Sequence, residues 1–84
     1  MTLDMLPIGP TARIVAVDWP ALVPEEARRL RALGLEEGAR IAVAHRGVLL
    51  GRDPLAVTVG RMTVAVRRAH AMAMQVEVLE GVAA

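Results

Sequence analysis

The feature that most constrains this chain is a helix end followed by sustained alternation. Residues 28–38 read Arg-Arg-Leu-Arg-Ala-Leu-Gly-Leu-Glu-Glu-Gly: the last turns of an amphipathic helix, a glycine that stops it, and a second glycine before a strand. Beyond them apolar and polar residues alternate through Arg40–Arg46, Leu55–Val59, Met62–Arg67 and Met74–Glu80. That period of two belongs to half-buried strands. With a further strand at Ala12–Val17 and one helical turn over Ala69–Ala73, the outline is mostly β. It is a very small barrel of five to six short strands, with one α-helix after the first strand and a short helical turn before the last. A barrel of this size leaves little room for a catalytic cleft, so the pattern points toward binding.

Each element carries its own signals. Leu3 and Leu6 can pack inward while Pro7, Gly9 and Pro10 turn the chain, so the N-terminal segment is expected to lie ordered against the barrel. In Ala12–Val17, Ile14 is expected on one face and Val15 and Val17 on the other. Trp19, the single aromatic residue, is expected to plug one end of the core or to lie beneath the helix. Pro24 suits the first helical position and Glu25 and Glu26 the positive helix N-terminus. Ala27, Leu30 and Leu33 form the inward stripe. Gly34 takes the left-handed position past the helix end, which lets Leu35 fold back onto Leu30 as in a Schellman motif. Gly38 turns the chain into the second strand, where Ile41, Val43 and His45 share a face opposite Arg40, Ala42, Ala44 and Arg46. Residues 47–53 are expected to form a loop with an apolar tip, Val48-Leu49-Leu50. Gly60-Arg61 reads as a two-residue type II′ hairpin turn. Leu55, Val57, Val59, Met62, Val64 and Val66 are expected to line the interior, as are Met74, Val76 and Val78 of the last strand. Residues 81–84 are expected to fray, leaving one domain over 1–84.

Composition narrows the chemistry. The chain has no serine, cysteine, tyrosine or lysine, which removes the usual nucleophiles and most general acids and bases. Two histidines, nine carboxylates and four threonines remain, a poor set from which to build an enzyme. An 84-residue chain buries only about 60% of its unfolded surface, and without disulfides the apolar core must hold it. Net charge is +1, so no strong field recruits nucleic acid or anionic lipid. No apolar run is long enough to span a bilayer, and the N-terminus lacks the pattern of a signal peptide. A cytoplasmic location is the expectation.

The candidate sites are few. His70, Met72 and Met74 could present an imidazole and two thioethers to a soft ion such as Cu(I), although methionines at this spacing more often fill a core. Neither His45 nor His70 has a partner at recognised ligand spacing, so no metal or cofactor is expected. The glycines do not form a phosphate-binding loop. Arg40, Arg46, Arg67 and Arg68 could make a basic patch for RNA or DNA. A nucleic-acid barrel, however, usually interleaves aromatic residues for stacking, and only Trp19 is available. The tip Val48-Leu49-Leu50, bordered by glycines, must either fold over the barrel end or meet a partner.

In this order the motifs resemble the FeoA family, small proteins of bacterial ferrous iron transport. The likeness runs through Leu3-x-x-Leu6-Pro7-x-Gly9, the valine-rich strand ending at Val17, and Arg29-Leu30-x-x-Leu33-Gly34-Leu35-x-x-Gly38. It continues with Leu50-Gly51-x-Asp53-Pro54 and Val66-Arg67-Arg68 before Ala71. Three positions differ from the family pattern: Glu37 stands where proline is usual, Arg52 lengthens the turn before Asp53, and Val66 replaces a leucine. The resemblance implies an SH3-like barrel, no catalytic residues, and action through a partner: FeoB, the membrane iron transporter with a cytoplasmic GTPase domain. The contact is expected on Leu35 and Val48, Leu49 and Leu50, with Arg46 and Arg52 on the rim for acidic groups. Recruitment to the inner membrane face would follow from that contact, and open strand edges allow self-association. The alternatives are the small arginine-bearing barrel that binds RNA or DNA and the soft-metal carrier.

Overall fold

The computed structural model describes residues 1–50 and 53–79, the side chains of 48–50 excepted. Seven elements follow one another: strand β1 (Ala12–Val17), helix α1 (Pro24–Ala32), strands β2 (Arg40–Leu50), β3 (Asp53–Val59) and β4 (Met62–Val66), the single turn α2 (Arg68–Ala71) and strand β5 (Met74–Val78). Short 3-10 turns over Leu3–Met5 and Trp19–Ala21 precede β1 and α1. The strands form one antiparallel sheet in the order β4-β3-β2-β1-β5, so the first and last strands lie side by side. Leu3, Leu6, Ile14, Leu30, Leu35, Leu55, Val57 and Met74 meet in one fully buried core. As expected, the N-terminal segment packs against the sheet, with Leu3 and Leu6 inside.

The helix end is built as the glycine pattern requires. Gly34 has φ +93, its N–H bonds the carbonyl of Arg31 at 2.9 Å, and the N–H of Leu35 reaches back to Leu30 O at 2.9 Å. These two bonds are the Schellman pair, which satisfies helix carbonyls that have no partner further along the chain. Gly60, at φ +62, turns β3 into β4 with Val59 opposite Met62, a two-residue hairpin in which only the first turn residue has positive φ.

Bulges account for the main departures from the expected pattern. In β1 the pairing shifts between Ile14 and Ala16, so Val15 is the extra residue; it is exposed while Val17, expected on the same face, is half-buried. In β2 the pairing shifts at Ala44, which carries His45 out of the inner row of Ile41 and Val43 into solvent. A second shift lies between Arg46 and Leu50. There the chain does not loop: β2 continues to Leu50, which pairs with Asp53 at the start of β3. The expected loop over 47–53 is therefore largely a two-stranded arm, with Gly51 and Arg52 outside the described residues. At the sheet ends, Met62 and Val78 are exposed where an inner row was expected. Residues 81–84 also lie outside the described residues.

Trp19 packs against the core from its margin without being buried in it. It is half-buried beside α1, with the Arg31 guanidinium 4.1 Å from the ring centroid and its indole N–H donating to Glu37 Oε2 at 3.0 Å. That cation–π stack and hydrogen bond tie α1 to the turn that follows it. The Glu37 carboxyl is held below its ordinary range, first by its own backbone N–H and then by the indole.

Candidate interaction surface

Two of the residues expected to contact a partner are committed to the fold. Leu35 is 0% exposed. The Schellman turn that follows from Gly34 drives its side chain into the core, so it offers nothing to a partner. Arg46 is half-buried, and its guanidinium donates to the backbone carbonyls of Asp4, at 3.0 Å, and Leu6. A guanidinium fork suits two neighbouring carbonyls that the 3-10 turn leaves without helical partners. Arg46 thus pins the N-terminal segment to the root of the β2–β3 arm instead of standing on a rim. Of the other expected contact residues, the backbone of Val48, Leu49 and Leu50 ends β2, and Arg52 lies outside the described residues.

The arm is anchored on its return side as well. Asp53, the first residue of β3, accepts the backbone N–H of Arg68 at 2.9 Å and so caps the first turn of α2. The Arg68 guanidinium lies 3.9 Å from Asp4, whose other carboxylate oxygen takes the Thr2 hydroxyl. Asp4 is the hub of this end: its side chain meets Thr2 and Arg68, and its carbonyl meets Arg46. On the segment so held, Met5 is 65% exposed and Ile8 56% exposed. Two large apolar side chains at this exposure make the N-terminal segment itself a candidate contact. No local pattern marks them: Ile8 stands two residues from the buried Leu6, a spacing that in extended chain would share its face.

The other candidate sites come apart. Met74 is in the core and Met72 is exposed, so the two thioethers do not converge with His70. His70 Nδ1 instead lies 3.3 Å from Glu26 Oε2, on the helix α1 that precedes it by more than forty residues. Glu26 is also held by Arg29 at 2.8 Å, which with that hydrogen bond keeps its carboxyl below the ordinary 4.5. Among the described residues no group of three or more His, Asp or Glu side chains converges on one point. The four arginines of the nucleic-acid reading do not share a face either. The strand register sets Arg40 near the β3–β4 turn, beside Arg13, while Arg46, Arg67 and Arg68 lie at the opposite end. A shallow cavity of about 260 Å³ beside Arg40, lined by Thr11, Ala42, Thr58 and Gly60, presents no convergent ionisable groups beyond that arginine. No helix among the described residues is long and apolar enough to cross a membrane.

A five-stranded antiparallel sheet with one helix between its first two strands and a helical turn before its last is an SH3-like domain. The family model described as the FeoA domain matches residues 1–78, and the chain belongs to the FeoA family. Among solved structures it is similar to FeoA from Stenotrophomonas maltophilia, with 34% identity and a TM-score of 0.75 over 92% of this chain and 89% of that one. That protein, in complex with zinc, is described as a prokaryotic SH3 domain protein and proposed as a bacterial ferrous iron transport activating factor. FeoA from Chlorobium tepidum shares 36% identity, with a TM-score of 0.81 over 96% of this chain and 72% of that one. Iron(II) transport protein A from Clostridium thermocellum shares 28%, also at 0.81, over 96% of this chain and 47% of that one. No curated protein matches the chain.

Proposed function

We propose that this protein is a non-enzymatic, cytoplasmic accessory factor of bacterial ferrous iron transport that binds and modulates the FeoB-type membrane GTPase transporter. The observation that carries this reading is the FeoA match over residues 1–78, together with a 34% identical relative proposed as a ferrous iron transport activating factor. The fold supports a contact role: it offers a β2–β3 arm with its root held by Arg46 and Asp53, and exposed Met5 and Ile8 on the N-terminal segment that Arg46 ties down. The contact surface is the arm tip, Val48, Leu49 and Leu50, with Arg52 for acidic groups, together with Met5 and Ile8 of the N-terminal segment. Calorimetric titration into the detergent-solubilised transporter of the same organism, with and without a GTP analogue, tests the reading. Saturable heat is expected, weakened by Leu49→Asp with the circular dichroism spectrum unchanged. Heat indistinguishable from dilution in every nucleotide state overturns the partner assignment. Full affinity in Leu49→Asp overturns the placement of the contact.

A further inference from the structure

The two edges of the sheet are treated differently. At the β5 edge the chain's own start completes the pairing: Val76 N–H bonds Met1 O at 2.7 Å, and Thr2 bridges Gln75. At the β4 edge no strand or bridge of the described residues lies outside β4. The register says which groups are left there. Met62 is the hydrogen-bonded partner of Val59 across the two-residue turn, so Val64 and Val66 also face β3 with their backbone groups. The N–H and C=O groups of Thr63 and Ala65 therefore point away from the sheet. Both residues are exposed, and β4 itself, Met-Thr-Val-Ala-Val, contains no charge or proline that would discourage pairing. What charge there is stands at the ends, on exposed Arg61 and Arg67, neither of which has a carboxylate within 4.0 Å among the described residues.

From this placement we infer that the β4 edge takes an added strand: an extended segment of another protein, uncharged in its middle and carrying carboxylates at both ends. The charges argue against a second copy of this chain. Antiparallel self-pairing with the greatest overlap sets Thr63 against Ala65 and, twice over, Arg61 against Arg67, and like charges directly opposed destabilise a strand pair. A segment with acidic ends meets arginine at each end instead, while its alternate backbone groups bond Thr63 and Ala65, as in other strand-addition complexes.

The test follows the Thr63 and Ala65 amides by hydrogen exchange in NMR spectra of the full chain. The probes are the blocked peptide Asp-Val-Thr-Val-Thr-Val-Glu and a counterpart with lysine at both ends. Free protein should exchange both amides quickly, and saturating acidic peptide should slow them by about tenfold or more, with the lysine peptide ineffective. Ala65→Pro should abolish the protection, since proline at an outward-facing edge position removes the donor without breaking the β3 ladder. A readout that needs no variant uses peptides N-methylated at alternate residues: methylation in one phase should abolish protection and in the other spare it. Equal protection by the lysine peptide, or by both methylated peptides, overturns the inference. So does protection already present in dilute free protein, or a dimer in sedimentation that Ala65→Pro dissolves.

Discussion

The corner between α1 and β2 and the root of the β2–β3 arm both fix how a part of the chain leaves the sheet, yet they are secured by opposite means. At the corner the bonds are local: Gly34 and Leu35 return to Arg31 and Leu30, and Leu35 is buried where it lands. At the arm root the bonds come from far along the chain. Arg46 reaches the carbonyls of Asp4 and Leu6, and Asp53 reaches the N–H of Arg68. The corner is held by backbone geometry and hydrophobic burial, whereas the root is held by half-exposed charged side chains. The core thus depends on the corner, while the arm's orientation depends on a few polar contacts that can be removed without unfolding the protein.

Substitutions at the two places should differ in size and in reach. Leu35→Ala should cost about 2–5 kcal/mol, the range for emptying a fully buried leucine site, measured as the loss of urea stability. A loss under about 1 kcal/mol would remove the corner from the core. Arg46→Ala should cost about 1–3 kcal/mol, from two carbonyls left without their donor. Its signature is local: amide exchange should quicken over the N-terminal segment and the arm root while the Leu30–Leu35 corner keeps its protection. Gly34→Ala should cost about 1 kcal/mol. An added Cβ would meet only the Val59 side chain, at 3.6 Å, so the penalty there is conformational and not steric crowding. Thermal melts read that difference directly.

The smallest effect concerns pH. Arg29 depresses the Glu26 pKa below 4.5, so the unfolded state binds more protons in that range. The stabilisation is complete above pH 4.5 and is lost as pH falls through the lowered value. For a solvent-exposed pair this amounts to about 0.3–0.5 kcal/mol. Glu26→Gln should therefore lower the melting temperature slightly at about pH 6 and leave it unchanged at about pH 3; a constant difference at both values would assign the effect to packing.

What the sequence disclosed follows the same division. Gly34, Gly38, Gly60 and Pro24 mark turns and ends through backbone constraints that act within a few residues, and each stands where the pattern placed it. The inner rows of β3 and β5 were legible in part, because alternation persists wherever the register is regular. It fails at Val15 and His45, where bulges insert a residue that no local signal announces. Arg46 was misplaced for a related reason. An arginine beside an apolar tip reads as a rim charge until the fold brings two unsatisfied carbonyls from forty residues away. Leu35 was legible twice over, as the residue after a Schellman glycine and as an apolar residue near a loop, and the first reading governs. His70 and Glu26 meet only because α2 returns to α1, which spacing in the chain does not reveal.

The placement of β1 between β2 and β5 has a consequence for the order of events in folding. Ala12 pairs with Val78, so one side of β1 finds its strand partner only among the last residues of the domain to be made. On a translating ribosome the β2–β3–β4 meander can form early from neighbouring segments, while β1 waits with that edge open until β5 emerges. Closing a pair so distant in sequence is slow compared with forming a hairpin. The sheet is therefore completed only when its final strand arrives, and until then the open side of β1 is available for mispairing.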